Sequence, residues 1–277
     1  MKTKRTSPLL VVALWLLAAI FLLPVVLVVV NSFKSRLYIS ATPFALPNGE
    51  TFVGFENYLT GLRSAGFAAA FGRSVFITVT SVVLLVVGCS MTAWFLTRAR
   101  TWWAKAIYLL FVFSMIVPFQ MVMYTMTYVV GQAGLNSVAG IPIVYLGFGA
   151  GLTVFILSGF VRGIPRELEE AAMMDGAGPL QCFFRVIFPV MRPTAITVAI
   201  LNAMWIWNDY LLPYLVLGTD QKTVPVAIQM AMQGAYGSTD YGGLMAMLVL
   251  AILPIIAFYL AGQKYILSGV IAGAVKG

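Results

Sequence analysis

Long apolar runs alternate with short polar interruptions along almost the whole chain. A membrane-crossing helix needs about 20 consecutive apolar residues, and six runs of that kind stand at about 9–30, 75–97, 106–130, 143–161, 194–217 and 243–263. The longest polar interruption covers residues 167–193, ELEEAAMMDGAGPLQCFFRVIFPVMRP. Its pattern predicts two short helices. Pro165 opens the first, because its missing N–H falls where a first turn has no acceptor, and Glu167, Glu169 and Glu170 suit the positive helix end. Asp175-Gly176 stops it. Ala171 and Ala172 leave one side without bulk, open to close approach by another surface, while Glu167, Glu170 and Met174 recur at three or four residues. Pro179 opens the second helix, whose stripe of Phe183, Phe184, Ile187 and Phe188 packs back on the membrane helices until Pro189 and Pro193 end it. The predicted fold is all-α, six transmembrane helices in a single domain over 1–277 with a polar loop at 162–193.

Composition excludes a soluble globule. With 61% hydrophobic and 9% charged residues among 277, too little polar surface exists to cover one, and six spans leave no room for a separate soluble domain. The net charge of +8 is a topology signal. Lys2, Lys4 and Arg5, then Arg98, Arg100 and Lys105, then Arg162, Arg166, Arg185 and Arg192, and finally Lys264 and Lys276 fall on one side if spans alternate. The positive-inside rule makes that side, with both termini and the 162–193 loop, cytoplasmic. Lys34, Arg36, Arg63, Arg73 and Lys222 lie outside. The positive excess matches anionic lipid headgroups, and no nucleic-acid-binding module is present. Cys89, in the second run, and Cys182, in the polar loop, do not form a pair on this topology. The MKTKR start and its apolar run read as an uncleaved first span, since the run is too long for a signal peptide and lacks a small-x-small cleavage site.

The chain contains no histidine and no GxxxxGK[ST] loop. The usual general base, HExxH metal sets, Ser-His-Asp triads and a nucleotide cradle are therefore excluded, so no catalysis, metal or cofactor is expected on this chain. Polar side chains inside the runs are few. Gln120, Tyr124 and Tyr128, at i, i+4 and i+8, share one face of the third. Asn202, Trp205 and Asp209 share a face of the fifth, with Asn208 beside them and Pro213 one turn on. Such faces serve either interhelical hydrogen bonding or a solute pathway, in which aromatic rings stack on a ring face and amides bond hydroxyls. Asp209 is the only acidic residue placed inside a span, in its outer third. It reads either as part of a patch satisfying backbone groups freed by Pro213 or as a hydroxyl-binding or gating residue. Gly147, Gly149, Gly151 and Gly159 permit close helix approach in the fourth run. Outside, residues 32–73 contain a short helix around Glu56-Asn57-Tyr58, either anchored at the interface by Phe52, Phe55 and Tyr58 or forming a docking platform. Gly234, Tyr236, Gly237, Tyr241 and Gly242-Gly243 predict a packed turn in the last outer loop.

Three spaced motifs carry a resemblance. Glu170-Ala171-Ala172, Asp175-Gly176-Ala177 and Val186-Ile187-Phe188-Pro189 stand in the order found in the membrane-spanning subunits of binding-protein-dependent ABC importers. Phe188 replaces the more usual aliphatic residue, a conservative departure. Trp207-Asn208-Asp209-Tyr210 with Pro213, Val224-Pro225 and the tail GVIAGAVKG narrow the similarity to the carbohydrate branch and its shorter, maltose-type second permease subunit. The similar stretches cover most of the chain from about Phe55 onward.

The resemblance implies a type I importer domain in the plasma membrane that works by alternating access. It implies coupling to ATPases through Glu170, Ala171, Ala172, Asp175, Gly176, Ala177 and Pro189. It also implies a second related permease chain, two ATPase subunits carrying the ATP and magnesium, an extracytoplasmic sugar-binding protein and surrounding lipid. Two alternatives stay open at this point. The same machinery can carry a polyol or glycerol phosphate, and a different class, a stand-alone transporter, can couple to an ion through Asp209.

Overall fold

The computed structural model describes residues 7–64, 66–233 and 240–274. Lys2, Lys4 and Arg5, the loop residues Gly234, Tyr236 and Gly237, and the tail end at 275–277 lie outside the described residues, and so does the side chain of Lys264. The helices are α1 (Pro8–Asn31), α2 (Arg36–Ala41), α3 (Glu56–Ser64), α4 (Phe67–Arg98), α5 (Trp102–Ser114), α6 (Phe119–Gln132), α7 (Ile141–Val161), α8 (Glu167–Met174), α9 (Pro179–Cys182), α10 (Phe188–Asn208), α11 (Leu211–Leu217), α12 (Val224–Gln233) and α13 (Tyr241–Ala274). A π turn, Phe183–Ile187, joins α9 to α10. Among the described residues the only β pairing is an isolated bridge between Lys34 and Phe52. Among the described residues five helices are long and apolar enough to cross a membrane, and six spans result when the bent pair α5 and α6 counts as one.

Two compact units emerge, one of residues 1–69 with 227–253 and one of 70–226 with 254–277. In the first, α1 leads into a hydrogen-bonded segment that ends in α3. Asn57 Nδ2 donates to the carbonyls of Ser32 and Lys34, each at 2.8 Å, and the Tyr58 and Ser32 hydroxyls lie 2.8 Å apart. Phe33 gathers the rings of Phe52, Phe55 and Tyr58 at 5.5 to 6.2 Å. Lys34 is fully buried and donates from Nζ to the Thr42 carbonyl at 2.7 Å, and desolvation holds its pKa below the ordinary lysine value. The Glu56-Asn57-Tyr58 piece thus ties this segment to the end of α1, while Phe52 and Phe55 remain mostly exposed.

The second unit holds the core, built on Leu85, Tyr145, Val154, Leu157, Phe183, Ile187 and Met191. Three expectations change here, each for a local reason. The third apolar run is not one helix: α5 and α6 meet at a bend of 108°, because Pro118, extended at ψ 137°, supplies no N–H to carry the ladder across. The fifth run also breaks. Pro213 would press its ring on the carbonyl four residues earlier, that of Asp209, and Asp209 leaves the helix at ψ 122°. Pro213 then sits harmlessly in the first turn of α11. Conversely, Pro189 and Pro193 do not end the second short helix, and helix runs from Pro179 to Asn208. The π turn widens the ladder just before Pro189, with the Phe188 N–H reaching back to the Phe183 carbonyl.

The glycines of the fourth run divide. A Cβ on Gly151 would lie 2.6 Å from Ser114 Oγ and 2.7 Å from the Phe111 carbonyl, and one on Gly149 would meet Leu85 and Asn202. Gly147 and Gly159 have no neighbour within 4 Å, so they do not serve close approach within this chain.

Candidate functional site

The α8 segment is held out from the bundle by a short, well-defined set of contacts. Glu169 and Ala172 turn inward, 7% and 9% exposed, whereas Glu167, Glu170, Ala171, Met173 and Met174 face outward, Met174 at 90%. The expected bulk-free face is therefore shared between two surroundings. Ala172 packs on the chain's own core and only Ala171 is free, because the helix period sets Glu169 and Ala172 on one side. Glu169 Oε1 accepts from Arg98 Nε at 2.7 Å, and Arg98 also donates from Nη2 to the Ile164 carbonyl at 2.9 Å. One guanidinium thus clamps the end of α4 to the chain entering α8 and to α8 itself. Neither residue stood out as functional in the sequence. They lie 71 positions apart, and the one available signal was an arginine closing an apolar run.

The exit from α8 explains the glycine of the motif. Gly176 has φ +84°; its N–H bonds the Met173 carbonyl at 3.0 Å, and the Ala177 N–H bonds the Ala172 carbonyl at 2.9 Å. This pair of bonds is a Schellman cap, which requires the left-handed conformation that glycine adopts without steric cost. Behind it, Phe183 and Ile187 are buried, and Phe183 packs on Trp94 at 5.7 Å. Pro189 is exposed at the start of α10.

Both helix breaks open onto one cavity of about 510 Å³. Ser114, Met115, Val117, Phe119 and Gln120 come from the elbow of α5 and α6, Phe148, Gly149 and Leu152 from α7, and Leu201, Asn202, Trp205, Asp209, Leu211 and Leu212 from the interrupted fifth run. Four of the sequence-selected residues, Gln120, Asn202, Trp205 and Asp209, therefore meet. Tyr124 and Tyr128 share the Gln120 face of α6 but stay outside the cavity, largely exposed. Asn208 is also outside it; its amide bonds back to the Met204 carbonyl at 2.7 Å.

Two of the four have demanding local duties. Asn202 is buried, donating from Nδ2 to Thr153 Oγ1 at 3.0 Å and to the Val198 carbonyl at 2.8 Å, which ties α10 to α7. Asp209 Oδ1 accepts from the Leu211 and Leu212 N–H groups at 3.0 and 3.4 Å, taking two of the donors that the restart of a helix leaves orphaned. Its Oδ2 accepts from the Tyr145 hydroxyl at 3.0 Å. Tyr145 is itself fully buried and meets Trp205 edge to face at 5.5 Å. In a membrane such donors are what keep broken backbone and a carboxylate tolerable. Tyr145 and Thr153 escaped the sequence reading because an isolated tyrosine or threonine in a glycine-rich apolar helix has no periodic partner to mark it.

Interrupted spans that open on a shared cavity, with a short acidic helix pinned outside the bundle, define a membrane transport protein. The sequence profile of the binding-protein-dependent transport system inner membrane component family matches residues 85–271. The chain belongs to that family. It is 36% identical, over 94% of its length and 93% of the relative's, to the "Probable starch degradation products transport system permease protein AmyC" of Thermoanaerobacterium thermosulfurigenes. It is 34% identical to the multiple sugar-binding transport system permease protein MsmG of Streptococcus mutans, over 93% and 92% of the two lengths. It is 35% identical to the melibiose/raffinose/stachyose import permease protein MelC of Bacillus subtilis, over 81% and 82%. Among solved structures, a chain of a bacterial ABC transporter involved in alginate import superposes with a TM-score of 0.80 at 22% identity, covering 95% of this chain and 99% of that one. That likeness establishes the fold of an ABC importer membrane domain. Family membership removes the stand-alone ion-coupled transporter and places the protein among multi-pass membrane permeases that work with a binding protein.

Proposed function

We propose that this chain is a permease subunit of an ATP-driven importer for a sugar or oligosaccharide, forming one wall of the translocation path. The observation that carries the reading is the convergence of two broken helices on one cavity walled by Trp205, Phe119 and Phe148, with the amides of Gln120 and Asn202 among them. Aromatic faces and amides are the groups that recognise a sugar ring and its hydroxyls, and discontinuous helices are the usual frame for a membrane transport site. Relatives named for starch products, multiple sugars and melibiose, raffinose and stachyose support the cargo class.

A second, related permease chain supplies the other half of the path, and two ATPase subunits carry ATP and magnesium. They engage the outward face of α8 through Glu170, Ala171, Asp175 and Gly176, with Ala172 and Ala177 fixing that segment from behind and Pro189 exposed beyond it at the start of α10. Closure of the ATPases on ATP pushes α8, and the push rocks the bundle between its two openings. The termini and the 162–193 loop are cytoplasmic, and a loaded binding protein docks on the opposite side. The test is reconstitution with co-purified partners in liposomes, following uptake of a labelled neutral oligosaccharide. ATP-dependent uptake that requires the loaded binding protein is the expected result; uptake driven by an ion gradient without ATP would refute the reading.

A further inference from the structure

The cavity's charge is unusually simple. No Lys, Arg, Asp or Glu occurs between Lys105 and Arg162, and between Arg192 and Asp220 the sole ionisable carboxylate is Asp209. The lining residues contributed by α5, α6, α7, α10 and α11 all fall within those two stretches, so among the described residues its one formal charge is negative and no cation stands in its lining. Asp209 is committed through both oxygens, to two backbone N–H groups and the Tyr145 hydroxyl. Each of these donors is neutral. They stabilise the carboxylate without cancelling its charge, and low-dielectric walls extend its reach.

We infer that Asp209 makes this half of the path anion-excluding, so that the cargo is a neutral, hydroxyl-rich molecule and uronates and phosphorylated solutes are refused. The inference rests on the proposed role of the cavity as a path and adds a substrate class to it. It also separates the remaining cargo alternatives: a polyol fits the wall and glycerol phosphate does not.

The test uses the assembled transporter, with Cys89 and Cys182, both buried, replaced by alanine. A cysteine is placed at Leu152 or Leu201, cavity residues 42% and 43% exposed. Rates of modification by a trimethylammonium, a sulfonate and an uncharged methanethiosulfonate are measured and normalised to those with a free small thiol. The expected result is a cation-over-anion preference on the order of tenfold. It should collapse toward one in Asp209→Asn, where the remaining amide oxygen keeps the α11 cap. A normalised ratio of one or below in the parent protein overturns the inference whether or not the Asn variant folds, and so does a preference that survives Asp209→Asn. Failure of all three reagents, the uncharged one included, would count against the cavity as a path rather than against its charge.

Discussion

Arg98→Ala is the perturbation that separates a rigid α8 from a merely tethered one. The guanidinium makes two directed contacts, with Glu169 Oε1 and the Ile164 carbonyl, in surroundings where the Arg98 and Glu169 side chains are 16% and 9% exposed. Removing one member of a buried pair costs about 3–5 kcal/mol, because the other is left as an uncompensated buried charge. The residual exposure of Arg98 places this pair at the low end, about 3 kcal/mol. Since every 1.4 kcal/mol is tenfold, local opening of α8 should rise by about a hundredfold. Hydrogen exchange on the assembled transporter reads that directly, as lost protection of the α8 amides while α7 and α10 stay protected. In liposomes the same variant should keep basal ATP hydrolysis and lose most of its stimulation by loaded binding protein. Arg98→Ala with Glu169→Ala should recover part of the protection, as the orphaned carboxylate is gone. Wild-type protection and stimulation in Arg98→Ala would refute the argument that this clamp holds α8.

Gly176→Ala should cost about 1–2 kcal/mol from the left-handed backbone alone, since no atom lies within 4 Å of the added Cβ; bulkier Gly176→Arg should abolish uptake and ATPase stimulation while the chain still reaches the membrane, as measured by vesicle uptake and blotting. Gly151→Ala should destabilise the purified chain by about 1–3 kcal/mol through overpacking on α5, whereas Gly147→Ala should be neutral or stabilising, a contrast that thermal unfolding in detergent resolves. Tyr145→Phe should lower stability by about 1.5–3 kcal/mol by taking one donor from the Asp209 carboxylate, and an unchanged melting temperature would remove Tyr145 from that network.

The spans, the acidic helix and its glycine stop were legible because each is a pattern of neighbours: apolar runs, carboxylates in a first turn, Asp-Gly after a periodic stretch. What was not legible depends on what stands opposite. Pro118 and Pro213 were visible, yet hydropathy sums composition over a window and is blind to a 108° bend inside it. Proline is also tolerated in membrane helices when neighbours satisfy the freed groups, so its presence does not decide between a kink and a break. At Asp209 the deciding partner was Tyr145, 64 residues away. The prolines at 189 and 193 misled in the other direction, since a wider turn can absorb a ring that a regular one rejects. Ala172 looked free because a small side chain carries no mark of which surface it faces.

The π turn at Phe183–Ile187 has a geometric effect far beyond its five residues. A widened turn inserts one residue into the count of a helix, and one residue corresponds to about 100° of rotation at 3.6 residues per turn. Every side chain downstream is therefore dialled round by more than a quarter circle relative to an uninterrupted helix begun at Pro179. In that rotated setting Asn202 meets Thr153 and Trp205 meets Tyr145. The turn that makes room for Pro189 thus also sets the angular phase at which Asn202 and Trp205 meet the wall of the cavity, linking the segment that follows α8 to the orientation of the surface inside the bundle.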